Sequence, residues 1–89
     1  DEVFRYGGEE FMALVFDDNP IFAFKVAERI RIAVENLKLD KDGLPTPITI
    51  SVGVTMMEEE ELLSKAIDRA DKLMYESKVS GKNRVSTNM

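Results

Sequence analysis

The residues best suited to chemistry are gathered in Arg5-Tyr6-Gly7-Gly8-Glu9-Glu10-Phe11, where two glycines and two carboxylates stand between apolar runs. Glycine takes φ > 0 at a bend and leaves no Cβ in the way of a ligand, so a phosphate can approach the backbone closely there. Glu9 and Glu10 offer oxygens suited to a hard divalent cation. Solvated charge at an exposed hairpin end explains the same two carboxylates, and the residues alone leave both readings open. At the other end of the chain, Lys78, Lys82 and Arg84 stand where cations complement the negative end of a helix dipole.

What is absent narrows the chemistry further. The 89 residues contain neither cysteine nor histidine. Disulfides, thiolate catalysis, Cys-based zinc sites and Ser-His-Asp schemes are therefore excluded, leaving carboxylates, lysines, arginines and bound metal. A net charge of -5 argues against DNA or RNA as a partner held by general electrostatics, while a small phosphate ligand gripped by a few local cations remains compatible. No apolar run approaches the roughly 20 residues of a membrane span, so no direct membrane contact is expected from this segment. The lack of cysteine fits a cytoplasmic location.

These groups need a scaffold. Val3–Tyr6 and Phe11–Phe16 read as antiparallel strands of a tight hairpin, the second apolar enough to lie near the middle of a sheet. Asp17-Asp18-Asn19-Pro20 breaks the run, with Asp18 or Asn19 as helix cap and Pro20 at the first helical position. A helix follows from Ile21 to about Leu37, its inner face formed by Phe22, Ala23, Val26, Ala27, Ile30, Ala33, Val34 and Leu37. Phe24 and Ile32 fall on the polar side, as partner contacts or as ordinary exposed apolar surface.

Lys38–Pro47 reads as a turn or short irregular hairpin, and Ile48–Thr55 alternates as a strand. Glu58–Glu61 is predicted to open a second helix, where negative charge meets the positive end of the dipole; a metal cluster is the other reading. Leu62, Leu63, Ala66, Ile67, Ala70, Leu73, Met74 and Ser77 form that helix's inner stripe, and Val85–Thr87 closes as a short strand. The order predicts an α+β fold with both helices on one mainly antiparallel sheet.

Four blocks together resemble the C-terminal half of a GGDEF domain, the diguanylate cyclase module of bacterial signalling. They are Arg5–Phe11 in the Gly-Gly-Glu-Glu-Phe form, Ala27-Glu28-Arg29-Ile30-Arg31, Ile48–Val54, and Ala70–Tyr75 with Lys78–Arg84. The resemblance covers essentially the whole chain. It implies a partial nucleotide-cyclase fold, related to the ferredoxin-like palm, in which residues 1–89 are the C-terminal portion of one domain and the first strand and first two helices lie upstream.

The family joins two GTP molecules into cyclic di-GMP and releases two pyrophosphates, with two domains facing each other as a homodimer. By resemblance, Glu9 ligates Mg²⁺ or Mn²⁺ and helps deprotonate the 3′-hydroxyl, and Glu10 belongs to the same catalytic site. Gly7 and Gly8 admit the nucleotide. Lys78 and Lys82 match positions that hold the β- and γ-phosphates, with Lys82 where the family often has arginine; lysine keeps the charge and loses the bidentate fork. Asp1 and Arg29 match parts of the product-inhibition site. The alternatives are a module that binds cyclic di-GMP or GTP without turnover, and a dimerisation element. Lacking the upstream half, the chain alone is expected to be inactive and to associate with further copies, and its parent could be membrane-anchored.

Overall fold

The computed structural model describes residues 2–7, 10–14, 19–41 and 43–88, with side chains for 19–37, 43 and 48–88. The chain opens with strand β1 (Glu2–Gly7), which pairs antiparallel with β2 (Glu10–Leu14). The register runs from Glu2 opposite Leu14 to Gly7 opposite Glu10 and slips between Arg5 and Gly7, leaving Tyr6 as the extra residue on β1. Such a bulge sharpens the local twist and re-aims the side chains beside it. The expected hairpin is therefore present. Among the described residues β2 pairs with β1 alone, so its expected place in the middle of a sheet is not what is found.

Helix α1 (Pro20–Glu35) starts where the sequence places it. The Asn19 carboxamide oxygen accepts from the Ile21 N–H at 3.0 Å, and Pro20 occupies the first turn, where its missing N–H costs nothing. A second hairpin follows, β3 (Lys38–Lys41) with β4 (Leu44–Pro47), turning through Gly43 at φ +77°. The next strand, β5 (Ser51–Val54), is shorter than the alternating stretch from Ile48 to Thr55. Helix α2 (Leu63–Val79) then leads to β6 (Arg84–Thr87).

The prediction of a mainly antiparallel sheet beneath the helices does not hold. Strands β5 and β6 pair parallel, Ser51 opposite Arg84 through Val54 opposite Thr87, and this is the pair on which both helices pack. The cause is connectivity. A tight turn can only return a strand antiparallel, whereas a crossover of at least about a dozen residues carries the chain back to run the same way. The 17-residue α2 is such a crossover. Among the described residues antiparallel pairing is confined to the two hairpins, each a separate two-stranded ladder.

The core is where α2 meets that parallel pair. Ala66 and Leu73 are buried, and Ser77 is completely enclosed. Its hydroxyl donates to the Val52 carbonyl at 2.8 Å and lies 2.7 Å from the Ser86 hydroxyl, so one side chain ties the helix to both strands. Leaving such partners unpaired costs on the order of 1–3 kcal/mol. Gly53 lets β5 press against α2: a Cβ there would run into the backbone of Ala70, Leu73 and Met74. On α1 only Ala27 is buried, and Phe22, Ile30 and Leu37 of its expected inner face stay exposed. Phe24 and Ile32 are exposed, as expected for apolar residues on the polar side, and Phe24 borders a shallow apolar hollow of about 220 Å³ with Pro20, Ile21 and Thr87. No helix among the described residues is long and apolar enough to cross a membrane.

Candidate functional site

The two predicted halves of the site fall on different elements. Gly7 and Glu10 face each other as the last ladder pair of the first hairpin, next to the bulge at Tyr6. Gly8 and Glu9, which connect them, and Asp1 lie outside the described residues. Lys78 sits in the last turn of α2 and Lys82 in the connection to β6, both exposed. Arg29 is exposed on α1.

The connection after α2 has an unusual backbone. Gly81, Lys82 and Asn83 all have positive φ, at +125°, +63° and +49°. Glycine adopts this freely and asparagine tolerates it, but lysine pays for it, on the order of 1–3 kcal/mol for a non-glycine residue. The surroundings hold it there. The Lys82 N–H donates to the carbonyl of the enclosed Ser77 at 2.9 Å, and its own carbonyl accepts from Arg84 Nε at 3.2 Å.

A polar network anchors the same turn to α1. Arg31 donates through Nε and Nη2 to the two carboxylate oxygens of Glu28, at 2.9 and 3.0 Å, and through Nη1 to Asn83 Oδ1 at 3.0 Å and Glu35 at 3.4 Å. The Asn83 amide nitrogen donates in turn to Glu35. The Arg31 side chain is 17% exposed; its guanidinium holds the Glu28 carboxyl below its ordinary pKa through the hydrogen bonds between them, and its own pKa is raised by the same bonds. In the sequence Glu28 and Arg31 stand out only as part of the family-like block Ala27–Arg31. The i,i+3 spacing of Glu28 and Arg31 could have flagged the ion pair, but Asn83 lies 52 residues away and carried no local signal.

Glu58–Glu61 does not open α2 as predicted. The run forms a turn ahead of the helix, and the residue capping α2 is Leu62. The reason is a long-range partner. Glu61 forms a two-pronged pair with Arg69, 2.6 and 2.9 Å, while Arg69 also donates to Thr55 Oγ1 and the Met56 carbonyl. A glutamate drawn to that arginine is withheld from the dipole. Among the described residues no group of three carboxylates, histidines or cysteines is placed to hold a metal ion.

Hydrogen bonds from Arg69, and next the Glu58 N–H, lower the Glu61 pKa from 4.5 to about 2. A carboxylate whose folded pKa is depressed contributes stability that is complete above the unfolded value and fades as pH falls through the folded one. Glu61→Gln is therefore expected to lower the urea midpoint by a constant amount above about pH 5, the difference from the parent chain shrinking as pH drops from about 4.5 toward 2. A difference that persists unchanged at pH 2 would contradict this role for Glu61.

Comparison with protein-family models matches residues 1–84 to "Diguanylate cyclase, GGDEF domain". Diguanylate cyclase A of Treponema denticola is 42% identical over 87 residues, 97% of this chain and 24% of that protein. DgcZ of Escherichia coli, also a diguanylate cyclase, is 39% identical over 84 residues, covering 94% of this chain and 28% of that protein. Among solved structures, the GGDEF domain of DgcB from Caulobacter crescentus, in complex with c-di-GMP, superposes with a TM-score of 0.83 and 32% identity over 96% of this chain and 52% of that one. The chain thus spans about a quarter of the length of these curated relatives.

Proposed function

Since the chain belongs to the GGDEF diguanylate cyclase family, we propose that it contributes the catalytic hairpin and the phosphate-holding turn of an enzyme joining two GTP into cyclic di-GMP. The observation that carries this reading is the hairpin ladder closing at Gly7 and Glu10, which leaves Gly8 and Glu9 as its two connecting residues. A Gly-Gly-Glu-Glu sequence at that end gives a ligand access to backbone and to hard carboxylate oxygens together.

Each 3′-hydroxyl attacks the α-phosphorus of the other nucleotide. A new phosphodiester bond forms, the bond to pyrophosphate breaks, and the hydroxyl proton passes to a base. Glu9 serves as that base, Glu10 adds negative charge at the same end, and Gly7 and Gly8 leave room for the nucleotide. Lys78 and Lys82 neutralise the β- and γ-phosphates, so the work of the chain is chiefly positioning and electrostatics. The donor set of Glu9, all oxygen, suits Mg²⁺ or Mn²⁺, which would neutralise triphosphate charge when bound. The two reacting GTP molecules belong to two facing domains, making the active form a dimer in the cytoplasm. The 89 residues by themselves are proposed to be inactive, because they match only 52% of the solved domain.

A second reading, a module that binds cyclic di-GMP without making it, is favoured by the ligand in the DgcB structure. Asp1 and Arg29 would contribute to such a site. Turnover of GTP with Mg²⁺ by the full-length protein, measured beside calorimetry with cyclic di-GMP, separates the two: product formation is expected, and binding with no turnover would establish the sensor instead.

A further inference from the structure

We infer that Arg31 is a positioning residue which, through Asn83, fixes the left-handed turn that aims Lys82 at the nucleotide phosphates. The inference rests on the phosphate-binding reading of Lys82 above. Arg31 is a poor candidate for direct ligand contact, since its three guanidinium nitrogens already donate to Glu28, Glu35 and Asn83. Asn83 is engaged at both ends of its carboxamide, with Oδ1 taken by Arg31 and Nδ2 given to Glu35. The tie therefore spans from the middle of α1 to the turn beyond α2. It acts on the residue directly after Lys82, and both residues have positive φ.

Among the described residues Lys82 is held by its backbone, through Ser77 and Arg84. Its N–H bond fixes where the turn begins and the Asn83 tie fixes where it leads, so the two together set the direction of the lysine side chain. Loosening the tie would let Lys82 relax toward ordinary φ and swing its ammonium group away from the phosphates. A lysine in place of Arg31 keeps the charge but cannot meet Glu28 with two prongs and Asn83 at once.

The test is a double-mutant cycle in the full-length protein, with KM for GTP, kcat and melting temperature read for each variant. Lys82→Ala is expected to raise KM roughly tenfold. Arg31→Lys should raise KM about three- to tenfold with kcat within about twofold, and should add nothing further in the Lys82→Ala background. Asn83→Gly, which keeps the positive φ accessible while cutting the tie, should reproduce the Arg31→Lys effect on KM without depending on how Arg31 variants fold. An Arg31→Lys penalty that persists in full beside Lys82→Ala, or an unchanged KM in both Arg31→Lys and Asn83→Gly, overturns the inference while leaving the phosphate reading intact. An unchanged KM in Lys82→Ala overturns the phosphate reading and the inference with it.

Discussion

Replacing Glu9 with alanine is expected to lower cyclic di-GMP formation by the full-length protein at least about a hundredfold, with Glu9→Gln nearly as damaging despite its equal size. The expectation follows from what the chain lacks. With no histidine and no cysteine in these 89 residues, a carboxylate is the natural side chain to take the hydroxyl proton, and the proposed mechanism gives that role to Glu9. In the proposed mechanism the same carboxylate also holds the cation, so its loss would remove two contributions to one transition state. A hundredfold loss corresponds to about 2.7 kcal/mol of barrier, within what a single preorganised electrostatic group supplies. The melting temperature, measured alongside, separates lost chemistry from lost fold. Turnover within about threefold of the parent would remove Glu9 from the mechanism.

Gly53→Ala should cost about 3 kcal/mol or more of stability, the upper end for overpacking. The added methyl meets main-chain atoms of Ala70, Leu73 and Met74, not flexible side-chain ends, so the collision is relieved only by moving β5 off α2. That movement also pulls at the Ser77 bond to Val52, the neighbouring residue. In a domain of this size the melting temperature should fall by roughly 12 °C or more, and a fall of under about 4 °C would show that the strand and helix can part cheaply.

Local signals account for the features legible in sequence. Asn19 and Pro20 announce the start of α1 because capping and a fixed φ act within a few residues, and Gly43 marks the turn of its hairpin for the same reason. The hairpin of β1 and β2 was readable from two apolar runs around the glycines. Ser77 was placed on the inner stripe of α2, although nothing nearby in sequence shows that its hydroxyl would reach Val52 and Ser86.

What sequence missed is non-local. The parallel pairing of β5 with β6 joins strands separated by the whole of α2, whereas the turn signals in the chain mark the two antiparallel hairpins. Glu58–Glu61 looked like dipole compensation because the arginine that claims Glu61 is eight residues further on. Nothing near Arg31 in sequence announces its bond to Asn83, which arrives only when α1 and the turn after α2 pack on the same strands. Of the candidate site, the residue types were legible and their relative placement was not, since it depends on elements far apart in the chain.

The central claim is that Glu9 and the two lysines serve one nucleotide. A crystal structure of the full-length protein with a non-hydrolysable GTP analogue and Mn²⁺, the metal located by its anomalous scattering, tests it directly. The expected result is Mn²⁺ at roughly 2.0–2.3 Å from a Glu9 carboxylate oxygen, with the β- and γ-phosphates of that nucleotide within hydrogen-bond reach of Lys78 and Lys82. Metal bound away from Glu9, or a triphosphate that touches neither lysine, would contradict it.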